Sequence, residues 1–429
     1  MKHFKNILEN QHNNIPAGIY SVCSSNKYVI EAALVFAKNH NTHLLIEATS
    51  NQVDQYGGYT GMKPKDFIEY VRQIALGTDF DQSKLIFGGD HLGPNPFQHM
   101  NENEAMLEAE KMIRQYVLAG FSKIHLDCSM RLADDSRNDK LSTEIIAKRT
   151  ARLAKIAEES YKELKEINNN AIHPIYVIGS EVPIPGGAQA NHEEIAVTSK
   201  EDFAETVEIT KKAFLESVGK ESWKFVVACV VQPGVEFADN HIDEYSRKNA
   251  LDLMNSLKNY KNLVFEGHST DYQTPEKLKE MVEDGVGILK VGPQLSFALR
   301  EALFSLSYIE NELIEKCYRS NFKEILLGEM LNNPKHWQKH YDGDIEYKCK
   351  FSLLDRCRYY LENESVKSAT NKLLSNLESS KISLTLLSQF MPNQYRKVRV
   401  NSIENKPIPL IFDRIHEVLD IYQYATNQE

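Results

Sequence analysis

The 429-residue sequence predicts an α/β fold: a (β/α)8 or TIM barrel followed by a helical C-terminal extension. Three observations predict it. Short apolar, β-branched runs recur eight times between residues 15 and 292. Each is followed by turn residues and then a helical pattern. No glycine fingerprint follows the first run, where "SVCSSNKYV" stands, which disfavours the alternative of a doubly wound open sheet with a dinucleotide loop.

The strands are predicted, in order, at "IPAGIYSVCS" (15–24), "HLLIEATS" (43–50), "KLIFGGD" (84–90) and "SKIHLDCS" (122–129). "PIYVIGSEV" (174–182), "WKFVVACVVQ" (223–232), "NLVFEGHS" (262–269) and "VGILKVG" (286–292) complete the set. The segments between them carry helix punctuation. Pro64 suits a first helical turn, and Gly120 is placed to stop the helix that runs through Ala105, Ile113 and Val117. Thr198 with Glu201 reads as a capping box, and Thr274–Pro275 opens a helix that Gly285 closes. The barrel is assigned to residues 1–316 and the extension to 317–429, packed on the barrel or over its mouth. That tail holds helical runs such as "SLLDRCRYYL" and "PLIFDRIHEVLDIYQYA", with dense aromatics including Trp337, Tyr341, Tyr359 and Tyr360.

Fifty basic against sixty acidic side chains give a net charge of −10, which argues against nucleic acid or an anionic membrane surface as the main partner. No apolar run approaches the roughly 20 residues of a membrane span, and the start, "MKHFKNILENQHNN", is too polar for a secretory signal. Six scattered cysteines without C-x-x-C pairs read as reduced thiols, so a cytoplasmic location is expected.

In barrels of this kind the chemistry sits at the carboxyl ends of the strands. Those ends carry Glu47 and Asn51, Asp90 and His91, His125 and Asp127, Glu181, Gln232, Glu266 and His268, and Lys290. His91, Glu181 and His268, with Gln232 as a neutral oxygen donor, form a candidate site for a divalent metal, zinc or else manganese or magnesium. Asp90 is the candidate proton shuttle, with Asp127 and Glu181 as further carboxylates. For His125 a plain hydrogen-bonding role and a substrate-binding role stay equally open. Ser269, Thr270, Lys290 and Gly292, in or beside the loops after strands seven and eight, are candidate phosphate contacts, as is Asn51 after strand two. Gly186–Gly187 is either a candidate loop to close over substrate or a plain turn, and "YGGYTGM" (56–62) is either a sugar contact or a left-handed turn. No G-x-x-x-x-G-K-[ST] phosphate loop or protein-kinase signature is present.

Longer stretches, "LIEATSNQVDQYGGYTGM", "GGDHLGPN", "AGFSKIHLDCSM", "YVIGSEVPIPGG", "VVQPGVEF", "HSTDYQT", "ILKVGPQLSFALREALF" and "FSLLDRCRYYL", resemble the GatZ/KbaZ family over nearly the whole chain. These are the Z subunits associated with tagatose-1,6-bisphosphate aldolase in galactitol and N-acetylgalactosamine catabolism. The resemblance implies a fold similar to the metal-dependent class II aldolases, with Asp90–His91, Glu181 and His268 matching the metal-bearing positions. Strand six departs from that pattern, since Gln232 stands where an aldolase would carry another histidine. The resemblance therefore implies a subunit that supports the activity and stability of a separate catalytic Y subunit, with a phosphorylated ketose as ligand and self-association left open. The alternative is a metal-dependent ketose-phosphate 4-epimerase interconverting tagatose 6-phosphate and fructose 6-phosphate by retro-aldol chemistry. A kinase label used for some relatives has no motif behind it.

Overall fold

A computed structural model describes residues 2–136, 141–180 and 195–427. Eight parallel strands close into a barrel in the order β1-β10-β9-β6-β5-β4-β3-β2. They are β1 (Ile19–Val22), β2 (Leu44–Thr49), β3 (Leu85–Leu92), β4 (Lys123–Leu126), β5 (Ile175–Gly179), β6 (Val226–Val231), β9 (Val264–Gly267) and β10 (Val286–Val291). Two short antiparallel strands, β7 (Glu236–Phe237) and β8 (Ile242–Asp243), form a ribbon in the loop after β6. All eight expected barrel strands are present, each within or close to the span read from the sequence. A helix follows each barrel strand, which makes this a TIM barrel.

The punctuation works largely as read. Pro64 lies in the first turn of its helix, Gly120 ends the helix Glu102–Ala119 in the left-handed region, and the Thr274 side chain caps the helix that Pro275 opens. One cap is shifted by a residue: Ser199, not Thr198, accepts the Asp202 N–H at the start of Lys200–Ser217. Thr198 instead accepts the Gln232 N–H and ties the helix start to the end of β6.

The barrel interior is layered by the two-residue period of its strands. At the bottom, Ile19, Leu45, Ile175, Val264 and Ile288 form an apolar plug sealed by Phe4 and Ile7 of the N-terminal helix Lys2–His12. Two residues further along the same strands the plug gives way to Glu47, Glu266 and Lys290, with Lys123 contributed by β4.

Beyond the barrel, helices continue to the C-terminus. The last, Pro407–Thr426, packs against the helices Lys27–His40, Pro275–Glu283 and Pro293–Leu313. One hydrophobic core runs from Tyr20 in β1 to Ala425 in this helix. The stretch "SLLDRCRYYL" is not the α-helix expected. Asp355 takes a left-handed conformation and a short 3-10 turn, Arg356–Tyr359, follows. The turn is pinned from below, since the Asp355 carboxylate accepts from Ser296 Oγ (2.6 Å) and Arg300 Nε (2.8 Å).

Candidate active site

Asp90 and His91 are adjacent in sequence, and neighbours on a strand normally face opposite ways. Both are nevertheless buried at the same mouth. The backbone explains it: His91 has φ +49°, and the pairing of β3 with β4 shifts register between Gly89 and Leu92. A left-handed non-glycine residue at a strand end is strained, and such strain is commonly kept where it aims functional groups. Here it turns both side chains toward one point. Gly93 completes the turn, since a Cβ there would lie 1.8 Å from the Asp127 carbonyl oxygen.

Asp90, His91, His125 and His268 form a cluster whose ligand atoms all lie within 4.8 Å of one another. Each imidazole is held by an oxygen acceptor on one ring nitrogen. His91 Nδ1 meets Asp127 Oδ2 (2.9 Å), His125 Nε2 meets the Gly179 carbonyl (2.9 Å), and His268 Nε2 meets Glu266 Oε1 (3.0 Å). An acceptor on one ring nitrogen is the arrangement by which metal-binding histidines are oriented. His125 Nδ1 then faces Asp90 Oδ1 at 3.0 Å. The same nitrogen lies 3.2 Å from the His91 backbone N–H, which donates to it.

Beneath the cluster lies a dry ion network. Lys123 Nζ sits 2.6 Å from Glu47 and 2.7 Å from Glu266, all three with no exposed side-chain surface. Lys290 pairs with Glu47 and, at 2.8 Å, with Asp90. Gly88 makes room for this layer, since a Cβ at that position would meet Glu47 Cγ at 2.6 Å. Burial alone would raise the Asp90 carboxyl, but His91, Lys290 and His125 outweigh it and hold Asp90 well below the usual carboxylate range. Asp127 is likewise held down against burial by His91, and Glu266 by Lys123 and Lys290. Four carboxylates (Glu47, Asp90, Asp127, Glu266) face two ammonium groups (Lys123, Lys290), an excess of two carboxylates among the described residues. A divalent cation on the imidazole nitrogens and Asp90 would balance them, and the nitrogen-rich donor set suits zinc. The residues fit such an ion.

Residues 4–427 match the family described as "D-tagatose-1,6-bisphosphate aldolase subunit GatZ/KbaZ-like". The chain belongs to that family. It is similar to a Sinorhizobium meliloti 1021 protein described as a probable tagatose 6 phosphate kinase, with 41% identity and a TM-score of 0.86 over 95% of this chain and 100% of that one. Fainter likenesses link it to a fructose-bisphosphate aldolase from Campylobacter jejuni (16% identity, TM-score 0.46, 87% of this chain and 91% of that one). An aldolase from Escherichia coli K12 is similar at 11% identity and a TM-score of 0.43, over 88% of this chain and 98% of that one. Both aldolases are too distant to bear on the site.

For this GatZ/KbaZ-family chain, the structure brings together Asp90, His91, His125 and His268 at the cluster, with Asp127 behind His91 and Lys290 below. Glu181 and Gly186–Gly187 lie outside the described residues. Gln232 needs correction as a metal ligand: its Oε1 accepts the N–H groups of Gly234 (2.8 Å) and Val235 (3.0 Å), and its amide nitrogen cannot bind a cation. Among the described residues His125 is the third imidazole of the cluster.

Most of the expected phosphate donors are engaged within the protein. Thr270 Oγ1 donates to the Lys290 carbonyl, and Ser269 Oγ to Glu236. The Gly292 and Gln294 N–H groups both donate to Asp271 Oδ1 (3.0 and 2.8 Å), so a carboxylate of the chain itself occupies the start of the helix Pro293–Leu313. Burial raises Asp271 to about 6 despite those bonds. Asn51 lines the cavity beside Ser50 and Gln52. The "YGGYTGM" loop is a left-handed turn, with positive φ at Gly57, Gly58 and Gly61, and its Tyr59 lines the cavity.

The sequence reading missed Lys123, and it missed Arg358 and Tyr359, which the extension brings to the cavity wall. Lys123 carried a usable signal: it shares strand parity with His125 and Asp127 and therefore their face.

Proposed function

We propose that this chain is a metal-dependent sugar-phosphate enzyme of the tagatose-bisphosphate aldolase family, acting on a phosphorylated ketose by retro-aldol chemistry at carbon 4. The observation that carries the reading is the three-imidazole cluster with Asp90. A divalent ion held by His91, His125, His268 and Asp90 would supply Lewis acidity to the ketose carbonyl. The chain's own groups supply the rest. Asp90, held ionised, takes the proton from the C4 hydroxyl as the C3–C4 bond breaks to an aldehyde and an enediolate. Lys290, 2.8 Å from Asp90, steadies the carboxylate, and Glu266 and Asp127 fix the imidazoles. Re-addition to the other face of the aldehyde, with proton return to O4, gives the C4 epimer with no net change in atoms.

The family match favours a second reading, a Z-type subunit that sustains a separate Y-type aldolase chain in cytoplasmic tagatose-phosphate catabolism. No described helix is long and apolar enough to cross a membrane, in keeping with a soluble partner. Incubation of the purified chain with tagatose 6-phosphate separates the readings. Fructose 6-phosphate appearing with wild type and not with Asp90→Asn or His268→Ala supports the enzyme. No conversion alone, together with stimulation of a co-purified Y-type aldolase, supports the accessory role and rejects the first reading. The kinase description of the Sinorhizobium relative would instead require ATP-dependent phosphorylation, for which this sequence offers no phosphate loop.

A further inference from the structure

We infer that Arg358, delivered by the C-terminal extension, is the phosphate-binding residue of the barrel-mouth cavity. The inference rests on the sugar-phosphate reading of the site and adds which group holds the anion.

The donors that a barrel usually offers a phosphate are consumed here. Gly292 and Gln294 N–H groups serve Asp271, Thr270 serves the Lys290 carbonyl, and Lys290 is held by Glu47 and Asp90. Arg358 is differently placed. It lines the same cavity as Asp90, His91, His268 and Lys290. Its hydrogen bonds go to neutral oxygens, from Nη1 to the Leu354 and Asp355 carbonyls (2.5 and 2.9 Å) and from Nη2 to Tyr359 Oη (3.2 Å). Among the described residues it has no carboxylate within 4.0 Å, so its charge is uncompensated by an ion pair and its remaining N–H donors are available.

A second observation points to a ligand in the same place. Ser50 Oγ is buried, lines this cavity and has no hydrogen-bond partner among the described residues. An unsatisfied hydroxyl and a guanidinium with spare donors suit a phosphate monoester, which accepts from both. The support is rigid: the guanidinium lies 4.6 Å from the Tyr359 ring centroid, and Asp355, at the head of its turn, is locked to Arg300 and Ser296. The extension thereby becomes part of the site.

Calorimetric titration of the full-length protein with inorganic phosphate tests this. Wild type binds phosphate, Arg358→Gln weakens it by about tenfold to a hundredfold, and Arg358→Lys keeps part of the affinity as a point charge without the fork. Equal affinity in wild type and Arg358→Gln, or no binding to wild type, overturns the inference. If Arg358→Gln fails to fold, phenylglyoxal labelling of wild type decides: phosphate protects Arg358 if the inference holds and leaves it reactive if it does not. The two readings fail separately. Phosphate binding through Arg358 without ketose interconversion rejects only the epimerase, whereas interconversion with an unchanged KM in Arg358→Gln rejects only this assignment.

Discussion

The lower and upper halves of the barrel interior are built by the same strands and differ completely. Leu45 gives way to Glu47, Val264 to Glu266 and Ile288 to Lys290, each two residues further along. The lower half is an apolar plug that removes hydrocarbon from water and needs no partners. The upper half holds charges in a dry interior, where desolvation offsets most of the Coulomb attraction. An apolar upper half would serve stability at least as well. The difference teaches that the charged layer is retained for what it holds above it: Asp90 through Lys290, and His268 through Glu266.

The largest expected effect comes from breaking the charged half. Lys123→Met leaves Glu47 and Glu266 with Lys290 as their one remaining buried ammonium and is expected to cost about 3–5 kcal/mol in urea denaturation. In the apolar half, Ile288→Ala leaves a cavity and is expected to cost about 2–4 kcal/mol by the same measurement, with metal binding unchanged. A loss of metal there would show that the halves are not independent. At their boundary, Gly88→Ala drives a methyl against Glu47 and is expected to cost about 1–3 kcal/mol. The last effect is a pH dependence outside both halves. Asp271, raised to about 6 by burial, contributes stability that is full below the ordinary aspartate value and is lost as pH rises through about 6. Thermal melts are therefore expected to show Asp271→Asn gaining on wild type between about pH 4 and pH 8, by on the order of 1–3 kcal/mol at most. A constant difference would contradict that assignment.

The alternation that separates the two halves was largely legible in the sequence. Strand runs and their end residues placed Asp90, His125, Glu266 and His268 at one rim because parity and barrel closure leave little choice. What escaped was set by contacts the pattern does not encode. Lys123 reads as an outward lysine until its parity with His125 is used. Gln232 looks like a ligand until the turn after β6 takes its oxygen, and Gly292 looks like a phosphate donor until Asp271 reaches it from the preceding strand's loop. Arg358 was beyond reach, because only the return of a C-terminal turn to the mouth of the barrel brings it there.

The central claim is that His125, with His91, His268 and Asp90, makes one divalent-ion site without help from strand six. Elemental analysis of purified wild type, His125→Ala and Gln232→Ala tests it most directly. The account predicts about one zinc or similar ion per chain in wild type and Gln232→Ala, and its loss in His125→Ala. Metal retained without His125, or lost without Gln232, would contradict it.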